Sequence, residues 1–113
     1  MIYLASPYSH PDPAIQEERY QKALHAVYYY AQNGLTVYSP IVHWHHVAAV
    51  FGLPKDAAFW EAQNLAMLER ASQFIVLNIS GWKESKGVTQ ELTWAEDLNI
   101  PVSFTDPEER KPL

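Results

Sequence analysis

The sequence predicts a three-layer α/β domain, with a mainly parallel sheet of four or five strands covered by helices on both faces. Three observations carry this. Short apolar runs alternate with longer segments of helical periodicity along the chain. The run from Phe74 to Leu77 is continuously apolar, as in a strand buried on both faces. All four glycines, Gly34, Gly52, Gly81 and Gly87, fall where one predicted element gives way to the next.

Ile2 to Ala5 reads as the first strand, and Ser6 to Pro13, rich in Ser, Pro, His and Asp, as a loop. Asp12-Pro13 opens a helix, with Asp as N-cap, Pro at the first helical position, and Glu17 and Glu18 near the start. Tyr20, Ala23, Leu24, Val27, Tyr28 and Ala31 recur at steps of three and four and mark one face of that helix. Asn33-Gly34 ends it. Leu35 to Tyr38 is the second strand, stopped by Ser39-Pro40. Ile41 to Phe51 holds a short helix, broken by Gly52-Leu53-Pro54, and Asp56 to Ala71 a longer one with Ala58, Ala62, Leu65 and Leu68 on one side. Phe74 to Leu77 is the third strand, Ile79 to Lys86 a loop, Val88 to Asn99 the last helix and Val102 to Phe104 the last strand. The domain is read as residues 1–105, followed by a polar C-terminal tail, 106–113.

With 113 residues, 48% apolar and 19% charged, the chain fits one globular domain and excludes wholesale disorder. No window approaches the roughly 18 consecutive apolar residues of a membrane span. The opening Met-Ile-Tyr-Leu-Ala-Ser-Pro lacks the basic and long apolar regions of a signal peptide, so a cytoplasmic protein with no membrane partner is expected. The absence of cysteine excludes disulfides and Cys-based zinc sites. A net charge of −5 without a basic cluster argues against duplex nucleic acid as a partner.

Parallel sheets bind ligands beyond the carboxyl ends of their strands, which points to the loops after the first and third strands. Glu91 is the sharpest feature there. It falls within the stripe Val88, Leu92, Ala95 and Leu98, so its carboxylate points inward near the start of the last helix. The helix N-terminus is expected to keep it ionised, ready to attack an electrophilic carbon; the alternative is a first-turn Glu that caps backbone N–H groups. Ser85-Lys86-Gly87 leads into the same helix, where unpaired N–H groups make an anion site. Ser6, Tyr8, Ser9 and His10 form a second polar loop, whose hydroxyls, with those of the first, suit a sugar and its phosphate; the alternative is an ordinary turn. Trp82 either stacks on a base or covers the core.

His43, His45 and His46 surround Trp44, yet no carboxylate stands at a ligand spacing and H-E-x-x-H is absent. No metal and no cofactor are expected, and the histidines are read as structural or ligand-contacting. The run Tyr28-Tyr29-Tyr30 wraps around its helix, so at least one ring faces away from the sheet, either to solvent or to another subunit.

Ile2-Tyr3-Leu4-Ala5-Ser6-Pro7-Tyr8-Ser9 resembles the opening strand and loop of the nucleoside 2-deoxyribosyltransferase-like superfamily, and Ser85-Lys86-Gly87-Val88-Thr89-Gln90-Glu91-Leu92 resembles its Ser-x-Gly-x-x-x-Glu-hydrophobic signature. Leu68-Glu69-Arg70-Ala71-Ser72 before an apolar strand also fits. With Ser39-Pro40-Ile41, His43 and Gly81-Trp82, the chain is most similar to a subgroup of small uncharacterised proteins within that superfamily, over roughly residues 1 to 104. The resemblance implies a flavodoxin-like (Rossmann-like) sheet and cleavage of N-glycosidic bonds in deoxynucleosides or their 5′-monophosphates. It implies Glu91 as nucleophile on the anomeric carbon, Ser85 at the 5′-phosphate, and Tyr3 and Ser6 along the sugar. It also implies dimers or larger rings, and with the Tyr28-Tyr29-Tyr30 run a homodimer or homotetramer is expected.

One departure matters. Where the superfamily often carries an Asp that assists the leaving base, this chain has Asn64, and Ser72 replaces a second Asp. An amide cannot donate a proton as a carboxylic acid does, so leaving-group protonation falls to His43 or His45 or is missing. The sequence therefore supports a nucleotide N-glycosidase or deoxyribosyltransferase, with a non-catalytic nucleotide-binding protein and a purely structural oligomer as rivals.

Overall fold

The structure, a computed structural model, describes residues 1–54 and 57–106. The elements run β1 (Ile2–Ala5), α1 (Pro13–Gln32), β2 (Val37–Tyr38), α2 (Pro40–Phe51), α3 (Ala57–Leu68), β3 (Gln73–Leu77), α4 (Lys86–Asp97) and β4 (Val102–Thr105). The four strands form one all-parallel sheet in the order β2-β1-β3-β4. Ile2 stands opposite Val37 on one side and Gln73 on the other, and Phe74 opposite Val102. This is the arrangement of a three-layer flavodoxin-like fold.

The sheet is buried on both faces, and the pleat sorts its residues. Ile2, Leu4, Ile75 and Leu77 point to one side and pack with Ala23, Ala26 and Tyr30 of α1 and Val42 of α2. Tyr3, Ala5, Phe74 and Val76 point to the other and pack with Leu68 of α3 and Val88, Leu92 and Ala95 of α4. The edge strand β2 has only two residues, which leaves little open ladder for another chain to pair with.

Local signals set most boundaries. Asp12 caps α1 by accepting from Ala14 N at 2.9 Å, with Pro13 at the first helical position. Ser39 both ends β2 and caps α2, accepting from Val42 N at 3.2 Å. α2 fills Pro40–Phe51 and stops at Gly52, whose left-handed backbone (φ +67°) a side chain would oppose. The predicted start of the third helix at Asp56, and the tail beyond Asp106, lie outside the described residues.

Three helix faces differ from the sequence reading. In α1 the buried stripe is Ala23, Ala26, Val27 and Tyr30, whereas Tyr28 is 47% exposed and Ala31 is exposed. Two alanines let α1 lie close to the sheet, and that rotates the face by about one residue from the predicted one. In α3, Leu65 and Leu68 of the expected face are partly or fully buried, but Ala58 and Ala62 are exposed and Trp60, Asn64 and Met67 are partly buried in their place. In α4, Leu98 is 44% exposed, since the helix ends at Asp97 and the chain turns through Asn99 at φ +57°.

The rotated α1 face has a measurable consequence. Ala26→Leu would force a larger side chain into the α1–sheet contact and should cost about 1–3 kcal/mol. Tyr28→Ala should stay within about 0.5 kcal/mol in the monomer, as surface substitutions do. Urea unfolding of both variants checks the assignment.

Candidate active site

The chain leaves β1 toward β2 on one side and returns to β3 on the other, so β1 and β3 are neighbours whose following loops diverge. A crevice opens at such a reversal beyond the carboxyl ends of the strands. Here it is a cavity of about 1070 Å³. Ser6, Tyr8, Ser9 and His10 line it from the loop after β1, and Ser80, Gly81, Glu84 and Ser85 from the loop after β3. Lys86, Gly87 and Glu91 of α4 form the far wall, and Trp44, His45, Trp60 and Asn64 of α2 and α3 cover it.

Glu91 is the buried carboxylate of this cavity, only 8% exposed. α4 begins at Lys86, so Glu91 lies in the second turn and not the first. The capping alternative therefore fails: Ser85 is the N-cap, accepting from Val88 N at 3.2 Å, and the partner of Glu91 is the Tyr3 hydroxyl, which donates to Oε2. Its expected permanent ionisation also needs correction. Burial pushes the Glu91 carboxyl up to about 7, while the Tyr3 hydrogen bond pulls the other way. One turn into the helix, the amide dipoles no longer outweigh the loss of water. Tyr3 is held far above the usual tyrosine range, first by burial and then by the Glu91 charge, so it remains a proton donor in the hydrogen bond.

A second network stands beside this pair. Trp44 Nε1 donates to the Tyr38 hydroxyl at 3.1 Å, and that hydroxyl donates to Asn64 Oδ1 at 3.3 Å. The Tyr38 ring lies 5.5 Å from that of Tyr3. Asn64 is thus in the cavity wall, with its carbonyl oxygen engaged.

The histidines part company. His45 lines the cavity: its Nδ1 meets the Tyr8 hydroxyl at 2.5 Å, its ring stacks on Tyr20 at 3.8 Å, and its Nε2 faces Glu17 at 3.8 Å. His43 is outside the lining, packed against Tyr38 and Trp44, and His46 is exposed. Among the described residues no group of three or more His, Asp or Glu side chains is arranged to hold a metal ion. Trp82 also turns away from the cavity. Its ring packs on Phe104 at 5.2 Å and its Nε1 donates to Asn78, so it covers the core on the β4 side.

Ser6 is 6% exposed, and its hydroxyl has no hydrogen-bond partner. Arg19 ties the two loops together, donating from Nη1 to Ser9 O at 2.9 Å and from Nη2 to Ser80 O at 3.5 Å. Gly81 is required beneath it. Its φ of +97° disfavours any side chain, and an added Cβ would collide with the Arg19 guanidinium. Arg19, Glu17, Trp60 and Tyr38 escape a sequence reading, because their neighbours are set by helix packing and not by spacing within one element.

Glu91 links stability to pH. Below about 4.5 its carboxyl is protonated whether the chain is folded or not. As pH rises toward about 7 the unfolded chain loses that proton first, so stability falls across this window. Glu91→Gln, which keeps an acceptor for Tyr3, should match the wild type near pH 4 and exceed it at pH 8 by on the order of 3 kcal/mol. Thermal unfolding at the two pH values measures the difference.

No helix among the described residues is long and apolar enough to cross a membrane. No curated protein matches the sequence. A family described as a domain of unknown function, DUF1937, matches residues 1–106. The chain belongs to this family.

Proposed function

We propose that the protein cleaves the N-glycosidic bond of a deoxynucleoside 5′-monophosphate, passing the sugar to water or to another base. The observation that carries this reading is the single buried carboxylate among the described residues of the cavity, Glu91, oriented by Tyr3 at the sheet's crevice. Two further features support it, besides the resemblance of both motifs to the nucleoside 2-deoxyribosyltransferase-like superfamily. The unpartnered Ser6 hydroxyl beside the cavity suits a sugar hydroxyl, whose hydrogen bond would recover about 1–3 kcal/mol of burial cost. Lys86 in the first turn of α4 opposes the helix dipole unless an anion is present, which favours a phosphate at Ser85-Lys86-Gly87.

In this reading the ionised Glu91 attacks C1′ as the C1′–N bond breaks, and the electron pair of that bond leaves with the base. The glycosyl ester on Glu91 is then opened by water or an acceptor base, the two-step logic of retaining glycoside chemistry. Tyr3 holds the attacking oxygen and, by stabilising the anion, keeps enough Glu91 ionised near neutrality. A second reading, a protein that binds nucleotides without turnover, is favoured by Asn64, which stands in the wall with no proton to give.

Incubation with a panel of nucleosides and their 5′-monophosphates, with free base read by chromatography, separates the two. The expected result is base release that is lost in Glu91→Ala and Glu91→Gln and that falls as the pH drops below about 7 and Glu91 takes up a proton. Two charge-assisted contacts at about 1.5–3 kcal/mol each should favour the monophosphate over its nucleoside by at least about tenfold in calorimetry. Tight monophosphate binding without base release from any substrate would favour the second reading.

The assembly is proposed to be a homodimer or homotetramer. Supporting this, Tyr28 and the Val47, Val50 and Phe51 side of α2 are exposed. Light scattering at high micromolar concentration should give a multiple of the monomer mass, and a monomer there would refute it.

A further inference from the structure

The proposed cleavage lacks a proton for the leaving base, because Asn64 cannot supply one. We infer that Tyr8 is the group that protonates the base, recharged by His45 with Glu17 behind it. This rests on the proposed N-glycosidic chemistry and names a residue for the step that chemistry leaves open.

The geometry is a three-member chain that ends at the cavity. Glu17 Oε2 lies 3.8 Å from His45 Nε2, and His45 Nδ1 lies 2.5 Å from the Tyr8 hydroxyl. Tyr8 and His45 both line the cavity that holds Glu91, whereas Glu17, on α1, does not. The parts come from three separate places: the loop after β1, the first half of α1, and α2. Stacking of the His45 ring on Tyr20 at 3.8 Å fixes the plane of the imidazole, so Nδ1 is aimed at Tyr8 while Nε2 faces Glu17.

The protonation states follow from that orientation. When the imidazole is neutral with its proton on Nε2, Tyr8 donates to Nδ1 and its proton is directed away from the cavity. When the ring is an imidazolium, Nδ1–H donates to the Tyr8 oxygen, and the phenolic O–H is free to point at a ligand. In the reactive arrangement the departing nitrogen takes the Tyr8 proton while the Tyr8 oxygen takes the Nδ1 proton. The C1′–N electron pair remains on the base, and Glu91 supplies the pair for the new C1′–O bond. His45 ends neutral, with Nε2–H toward Glu17. In the second step the attacking water or base returns its proton through Tyr8 to His45, so the cycle closes with no external acid. Burial and Glu17 make the Tyr8 hydroxyl a weaker acid than an ordinary tyrosine, which is why it needs a proton behind it and would not act alone.

His43, the other candidate in the histidine run, has no such path. It packs on Tyr38 and Trp44, outside the cavity lining.

The test compares two leaving groups: the common deoxynucleoside 5′-monophosphates, whose bases need a proton, and a nitrophenyl deoxyribofuranoside phosphate, whose phenolate does not. General acid catalysis contributes about 10²–10⁴-fold where charge develops on the leaving group, so Tyr8→Phe should raise the ratio of nitrophenyl to nucleotide turnover by about that factor. His45→Gln should raise the ratio too, and Glu17→Gln less, since Glu17 is half exposed. The solvent deuterium isotope effect on nucleotide cleavage should shrink in Tyr8→Phe in the fraction of turnover that remains. An unchanged ratio in Tyr8→Phe, with Glu91→Gln still abolishing turnover of both substrates, would overturn the relay alone. Wild-type protein that releases neither base nor nitrophenolate would overturn the relay together with the proposed reaction.

Discussion

The Tyr3 hydroxyl and the Glu91 carboxylate meet across the buried seam between β1 and α4, 88 residues apart in the chain. Neither group could be placed there alone. A carboxylate without a partner in that seam would simply take up a proton, and a tyrosine hydroxyl without an acceptor would cost a lost hydrogen bond. Together they fix the rotation of α4 on the sheet, because Glu91 shares its stripe with Val88, Leu92 and Ala95. They also couple β1 to the wall of the cavity, so the sheet's geometry is transmitted to the one buried acid among the described residues that lines it.

The rest of the site depends on the same crossing point. Because β1 and β3 are adjacent while their loops diverge, two short polar loops together with α2, α3 and α4 line a cavity of about 1070 Å³ in a small domain. Arg19 binds the backbone of both loops, and Gly81 gives it room, so the two walls keep their spacing. The second network, Trp44 to Tyr38 to Asn64, continues from the Tyr3 ring into α2 and α3, which close the opposite side. A site with a carboxylate raised to about 7 and an unpartnered serine hydroxyl sacrifices stability at neutral pH. Such costs are typical of groups held ready for a ligand, and they are what the functional proposal explains.

The fold was largely legible because its signals are local. Asp12-Pro13, Ser39-Pro40, Gly52 and Ser85 act within a turn of their own helix, and the apolar runs of β1 and β3 need only the rule that parallel strands are buried on both faces. Helix rotation was less legible. Whether Tyr28 or Tyr30 faces the sheet depends on how closely Ala23 and Ala26 let α1 approach, which is a packing outcome. The same holds at the site. The position of Glu91 on an inward stripe could be read from spacing, but its turn, its Tyr3 partner and its raised pKa depend on where α4 begins and on what β1 presents. His43 and His45 look alike in sequence. Only the crossing of α1 and α2 gives His45, at the cavity, its neighbours Tyr8, Tyr20 and Glu17 and leaves His43 outside the lining.

The central claim is that Glu91 forms a covalent bond to the sugar. Its most direct test is mass spectrometry of acid-quenched protein after brief exposure to a deoxynucleoside 5′-monophosphate bearing a fluorine beside C1′, which slows breakdown of the ester. The account predicts a fluorinated sugar phosphate attached to the peptide that contains Glu91, and no adduct in Glu91→Gln. Release of base with no adduct at Glu91, or with an adduct on another residue, would contradict it.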